Sequence, residues 1–291
     1  MSTIEKIEKT LNPNGGHAPE HRAGGHRTDE DRAGHEGAAR PGERVRPEGP
    51  HDAAPALALR GVSLEYPDGT DEHGRPRTLK ALDSVDLSAE RGRLCAVVGE
   101  SGSGKSSLLS VAATLIAPTD GSVRIAGTET VGAAEKERAR LRREEIGVVF
   151  QQPNLIASLT ALEQLLIAEH IRGLRGKRLR ARRERAQELL NRVGLAGLGD
   201  RRLHQLSGGQ RQRVNIARGF AHPYPALLLD EPTASLSAHE VEQLFRLIAN
   251  LRKSGVAILF ISHRMDEVFK ISDRITIFRD GQLISSAPAS Q

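Results

Sequence analysis

Three short segments carry residue types and spacings that could do chemistry. Gly99-Glu-Ser-Gly-Ser-Gly-Lys-Ser106 fits G-x-x-x-x-G-K-[ST] in full. It follows the apolar run LCAVV and precedes a helical pattern opening SSLLSVAATL. At such a strand-to-helix turn, glycines let backbone N–H groups turn inward around a polyphosphate, and the helix N-terminus adds the positive end of its dipole. Gly99, Glu100, Ser101, Gly102, Ser103, Gly104, Lys105, Ser106 and Ser107 are therefore candidate phosphate-binding residues. The Lys105 ammonium suits the β- and γ-phosphates of a nucleotide, and the Ser106 hydroxyl suits Mg2+. The second segment, ALLLDEP (226–232), is an apolar run ending in two carboxylates. Asp230, at the strand tip, is placed to support the metal shell, and Glu231 to orient or deprotonate an attacking water.

The third segment is LSGGQRQRVNIAR (206–218). Ser207 and Gln210 fit a capping box, which accounts for a well-capped helix start. Capping does not account for Gly208 and Gly209, because each glycine weakens a helix by about 1 kcal/mol relative to alanine. Close approach of another molecule to the backbone explains them better.

Two kinds of strand are expected to position these segments. ALALRGVSLEY, TLKALDSVDLSAE and SVRIAG mix alternation with Gly and Asp breaks and predict antiparallel strands. LCAVVG, IGVVF, ALLLD and AILFIS are short, nearly continuous apolar runs, suited to strands buried on both faces of a parallel α/β sheet. Helical patterns separate them. In TALEQLLIAEHI, Leu162, Leu165, Leu166 and Ile167 form an apolar stripe, and Thr160 with Glu163 a capping box.

Composition limits the rest. From Asn12 to Pro50 the chain is almost wholly Gly, Pro, His, Arg, Glu, Asp and Ala, so residues 1–55 are expected to be a disordered low-complexity tail, with the folded domain over 56–291. The irregular spacing of His17, His21, His26, His35 and His51 argues against a metal site. The single cysteine, Cys95, forms no internal disulfide and belongs in a buried strand, which fits a reducing cytosol. The charged start MSTIEKIEKT is not expected to act as a secretory signal, and the absence of an apolar run of 18 residues argues against a membrane span. Arg172–Arg185 carries eight basic residues and one acid. Without interleaved aromatics it does not predict nucleic-acid binding; a solvated helical face is the plainer reading, and contact with anionic headgroups the next.

Taken together, the phosphate loop, Asp230-Glu231 and LSGGQ make the stretch from about Ala56 to Ile284 resemble the nucleotide-binding subunit of ABC transporters. That resemblance implies a P-loop NTPase fold of the RecA-like α/β type, with an antiparallel β subdomain and a helical subdomain over about 153–218. It implies ATP and Mg2+ as ligands and ATP hydrolysis as the activity. Tyr66 matches the aromatic that stacks on adenine. Gln151 matches the glutamine that touches Mg2+ and water, and His263 the histidine that contacts the γ-phosphate. Ser207, Gly208, Gly209 and Gln210 would serve ATP held by a second subunit in a head-to-tail homodimer. Permease chains would be separate and dock near Pro153–Arg201, with the chain peripheral on the cytoplasmic face of the membrane. A non-transport ATPase regulating a membrane complex, of cell-division type, is the alternative. RREEIGVVFQQPNLIASLTALEQL is similar to lipoprotein-release and macrolide-export ATPases, whereas DEPTASLSAHEVEQLFRLIANLRKSGVAILFISHRMDEVFKISDRITIFRDG is closer to sugar-importer ATPases. One departure is Ser237, where many members have Asp; Ser237 and Glu240 form a capping box that keeps the helix start while losing a charge.

Overall fold

The computed structural model describes residues 54–289 except 71, 172, 174 and 175. All but the last two residues of the expected tail lie outside the described residues, as do Arg172 and Arg175. In chain order the strands are β1 (Leu57–Thr70), β2 (Pro76–Ala89), β3 (Leu94–Val98), β4 (Asp120–Ile125), β5 (Thr128–Glu129), β6 (Ile146–Val149), β7 (Ala226–Asp230), β8 (Ala257–Ile261), β9 (Arg274–Arg279) and β10 (Gln282–Pro288). The helices are α1 (Lys105–Ala112), α2 (Glu135–Glu144), α3 (Ala161–Ile171), α4 (Gly176–Arg192), α5 (Gly208–Phe220), α6 (Ala238–Lys253) and α7 (Met265–Ile271).

The two strand types separate as their patterns require. The alternating segments pair antiparallel in the order β2-β1-β4-β5. The four apolar runs become β3, β8, β7 and β6 of a second sheet, β10-β9-β3-β8-β7-β6, which is parallel from β9 to β6; β9 and the antiparallel edge strand β10 are not among those runs. Continuous apolarity is needed because successive side chains of each parallel strand enter different cores. Leu94, Ala96 and Val98 of β3 pack with buried residues of α3, α4, α5 and α6. Cys95 and Val97 pack instead with α1 and the antiparallel sheet.

Helix starts follow the sequence closely. At α3 the Glu163 N–H donates to Thr160 Oγ1 at 3.3 Å, and the Thr160 N–H to Glu163 Oε2 at 2.8 Å. At α6 the Ser237 N–H and hydroxyl both donate to Glu240 Oε2, at 2.8 and 2.9 Å. The α3 stripe is less simple than its pattern: Leu162, Leu165 and Leu166 are buried and Ile167 is half-buried, but Gln164 and Glu169 are buried too. Gln164 is accommodated because its amide satisfies both backbone groups of Ile156, accepting at 3.1 Å and donating at 2.6 Å. Among the described residues, no helix is long and apolar enough to cross a membrane.

Candidate active site

Parallel strands deliver the residues beyond their C-terminal ends to one edge of a sheet. Across β9, β3, β8, β7 and β6 those residues are Asp280, the Gly99 loop, His263, Asp230 with Glu231, and Gln151. All line one cleft of about 800 Å3, apart from buried Ser103 of the loop, joined by Tyr66, Leu79, Lys80 and Ala81 from the antiparallel sheet. Residues scattered over the sequence thus share one cavity because their strands are neighbours.

The phosphate loop is shaped by close packing as well as by its chemistry. A Cβ on Gly99 would stand 2.1 Å from the Phe278 carbonyl oxygen, and one on Gly104 2.5 Å from that of Ala81. Gly104 also has φ of 102°, a left-handed conformation that glycine adopts without strain. The Gly281 N–H donates to the Ser103 carbonyl at 3.0 Å, so the β9–β10 turn is tied to the loop. Helix α1 starts at Lys105 without a side-chain cap, whereas α3 and α5 start on capping boxes. Its first-turn N–H groups are therefore open to an anionic ligand. The Lys105 ammonium donates to the carbonyls of Gly99 at 2.9 Å and Glu100 at 2.5 Å and to Ser103 Oγ at 3.2 Å. Burial pushes its pKa below the usual lysine range, opposed by the charges of Glu231, Asp230 and Glu100. Burial pushes Asp230 above the usual aspartate range, assisted by Glu231 and opposed by Lys105.

Glu231 is the centre of the site. Gln151 Nε2 donates to its Oε2 at 2.8 Å, and His263 Nδ1 lies 3.2 Å from its Oε1. These three side chains come from the ends of β6, β7 and β8. Its backbone leaves β7 sharply, with φ of 42° and its N–H on the Ile261 carbonyl at 2.9 Å. Tyr66, also in the cleft lining, is paired in register with Leu79, which is 57% exposed despite its apolar side chain. The two form an apolar lip suited to the flat face of a base.

Ser207, Gly208, Gly209 and Gln210 do not line this cleft. They open α5 as a capping box: the Gln210 N–H donates to Ser207 Oγ at 3.2 Å, and the Ser207 N–H to Gln210 Oε1 at 2.8 Å. A Cβ on Gly208 would meet nothing within 4 Å, and one on Gly209 only ordinary contacts, with the Ser235 carbonyl at 3.4 Å and the Arg213 guanidinium at 3.9 Å. Packing within the chain therefore demands neither glycine.

The inward face of α5 carries residues that sequence reasoning passed over. Gln212 Nε2 donates to the Pro232 carbonyl at 3.3 Å, one residue past Glu231. Asn215 Nδ2 donates to the Phe150 carbonyl at 2.9 Å, one residue before Gln151, while its Oδ1 accepts from Arg218 at 3.1 Å. Arg218 also reaches the Asn154 carbonyl at 2.6 Å, and Arg213 pairs with Glu240 at the start of α6. Buried Glu267 accepts from Thr233 Oγ1 at 2.7 Å and pairs with Arg264 at 2.6 Å, joining the segments that follow Glu231 and His263. The available signal was the inward spacing of Gln212 and Asn215 beside Val214, Ile216 and Ala217.

The family model described as ABC transporter matches residues 82–234. A macrolide export ATP-binding/permease protein of Rhodopseudomonas palustris is 37% identical over 233 residues, covering 80% of this chain and 34% of that protein. A ribose import ATP-binding protein of Rubrobacter xylanophilus is 38% identical over 238 residues, covering 81% of this chain and 45% of that protein. The chain thus spans less than half the length of either relative. A dimeric ATP-binding cassette in a post-hydrolysis state, bound to ADP and phosphate, superposes with a TM-score of 0.74 at 33% identity, covering 81% of this chain and 99% of that one.

Proposed function

The chain belongs to the ABC transporter family as an ATP-binding cassette of P-loop NTPase fold, and on that premise we propose that it hydrolyses ATP as half of a head-to-tail dimer and drives separate permease chains. The observation that carries the proposal is the meeting of Gln151, Glu231 and His263 beside the phosphate loop. In this reading the open first turn of α1 and Lys105 bind the phosphates, and Tyr66 with Leu79 takes the adenine. Glu231 receives the proton of the attacking water, Gln151 orients that water, and His263 contacts the γ-phosphate.

The donor set fits Mg2+. Ser106, Gln151 and Asp230 line the same cleft and offer the oxygen ligands this hard cation takes. Among the described residues no group of three or more His, Cys, Asp or Glu forms a self-sufficient metal cage. Bound there, Mg2+ would neutralise charge on the phosphates.

Ser207–Gln210, outside the cleft and sterically open, serve the nucleotide of the partner in this reading. The permease docks where edge strand β6 meets α3, a cavity of about 260 Å3 lined by Gly147, Gln164, Leu165, Ala168, Glu169 and His222 among others. The two relatives' names carry opposite directions, export and import, and the proposal is confined to the motor. Its test is Glu231→Gln: ATP binding is retained while turnover falls about 10²–10⁴-fold, the range for losing a general base. Wild-type turnover in this variant removes Glu231 from the role and the proposal with it.

A further inference from the structure

The net charge of the whole chain is +5. Lys177, Arg178, Arg180, Arg182, Arg183 and Arg185, against Glu184, give that same +5 within nine residues of α4. The rest of the chain is therefore electrically neutral, and its whole surplus of positive charge sits at one end of one helix. Only the far half of α4 is anchored in the core, through Ala186, Leu189 and Leu190. In the basic half, Lys177, Arg178, Arg180, Arg183 and Arg185 are exposed. Arg180 pairs with Glu184 at 3.4 Å, and Arg182 lies 3.8 Å from buried Glu169. Lys177, Arg178, Arg183 and Arg185 form no ion pair among the described residues. Like charges three and four apart, as at 178 and 182 or 180 and 183, oppose the helix that carries them. An anionic surface outside the chain reverses that penalty.

We propose that the N-terminal half of α4 is an electrostatic foot that rests on anionic lipid headgroups. Its position supports this, because Glu169, which holds Arg182, also lines the cavity between β6 and α3. The inference rests on the reading of that cavity as the permease dock, which places α4 beside the bilayer. The distribution of charge favours lipid over a protein groove. At 3.6 residues per turn, positions 177, 178, 180 and 183 spread over roughly 220° of the helix circumference, leaving out the side of half-buried Leu179 and Arg182, as suits a broad headgroup surface, whereas a groove reads one narrow stripe. Leu179 is the one large apolar residue of the basic half, so the contact is adsorption rather than insertion.

The experiment is flotation of the full chain, without permease, on vesicles of phosphatidylcholine alone or with about one third phosphatidylglycerol. Association is expected with the anionic vesicles at low salt and is lost in about 0.5 M NaCl. The triple variant Arg178→Gln, Arg180→Gln, Arg183→Gln should bind about a hundredfold more weakly, roughly fivefold per basic residue. Its ATP turnover in solution and its far-UV circular dichroism stay at wild-type values. Absence of wild-type flotation, equal flotation of the triple variant, or displacement from the vesicles by stoichiometric single-stranded RNA would overturn the proposal. So would membrane retention that requires the permease. Flotation needs no hydrolysis, so Glu231→Gln floats like wild type, and failure of the catalytic reading leaves this measurement independent.

Discussion

At the scale of single residues, the site holds its charges under tension. Glu231 keeps a left-handed backbone that costs a non-glycine residue about 1 kcal/mol or more, and Gln151 and His263 hold its two carboxylate oxygens. Next to it, Asp230 is half-buried beside a like charge, and its pKa is raised. The folded state therefore holds the Asp230 proton more tightly than the unfolded chain does. Stability from this group falls as pH rises from the ordinary aspartate range through the raised native value. Asp230→Asn removes that penalty, so in nucleotide-free protein at pH 7 it should melt at or above the wild-type temperature. The difference should vanish in acid, below the aspartate range. The same variant should lose the rise in melting temperature that Mg2+ and ATP give the wild type. A lower melting temperature at pH 7 without nucleotide contradicts the assignment. Much of this scale was legible in the chain. The phosphate loop, Asp230, Glu231, Gln151 and His263 each lie at or just beyond the end of an apolar run, so residue type and place could be read together. Leu79 was not legible, since only its register opposite Tyr66 brings it to the cleft.

At the scale of elements, α5 links both ends of the proposed cycle. Ser207 and Gly208 at its start are exposed, while its buried amides hold backbone carbonyls next to Glu231 and Gln151. Asn215→Ala leaves the half-buried Phe150 carbonyl without its side-chain donor, which should cost about 1 kcal/mol in urea unfolding. The loosened segment carries Gln151, so turnover should fall while ATP affinity, set by the phosphate loop and Tyr66, stays unchanged. Equal loss of affinity and turnover would make Asn215 a purely structural residue. These contacts escaped sequence reading because their acceptors are backbone atoms 20 and 65 residues away. The pattern showed a helix start and an apolar face, but no acceptor for the polar residues within that face.

At the scale of the whole molecule, the parallel sheet divides two cores and presents the cleft along one edge, with Ser207–Gln210 outside it. In the proposed head-to-tail dimer each catalytic site combines the phosphate loop of one chain with the α5 start of the other. Lys105→Ala and Ser207→Arg should therefore each be inactive alone, yet mixing them should restore hydrolysis. A heterodimer of the two keeps one intact composite site, so turnover at equal amounts should approach about one quarter of wild type. No recovery on mixing argues that each chain works alone. The antiparallel and parallel strand classes were both legible from apolar pattern. The spatial order β3-β8-β7-β6 was not, since no local pattern specifies which parallel strands lie side by side.

Gly99 and Gly104 have a consequence for how descendants of this chain would diverge. A side chain at either would collide with the backbone of β9 or β2 whether or not a nucleotide ever arrives. A copy freed from selection for hydrolysis would keep both glycines merely to fold, while Lys105, Ser106 and Glu231 drifted. The motif's most recognisable letters are thus a record of architecture, and its chemically reactive letters alone record whether the engine still runs.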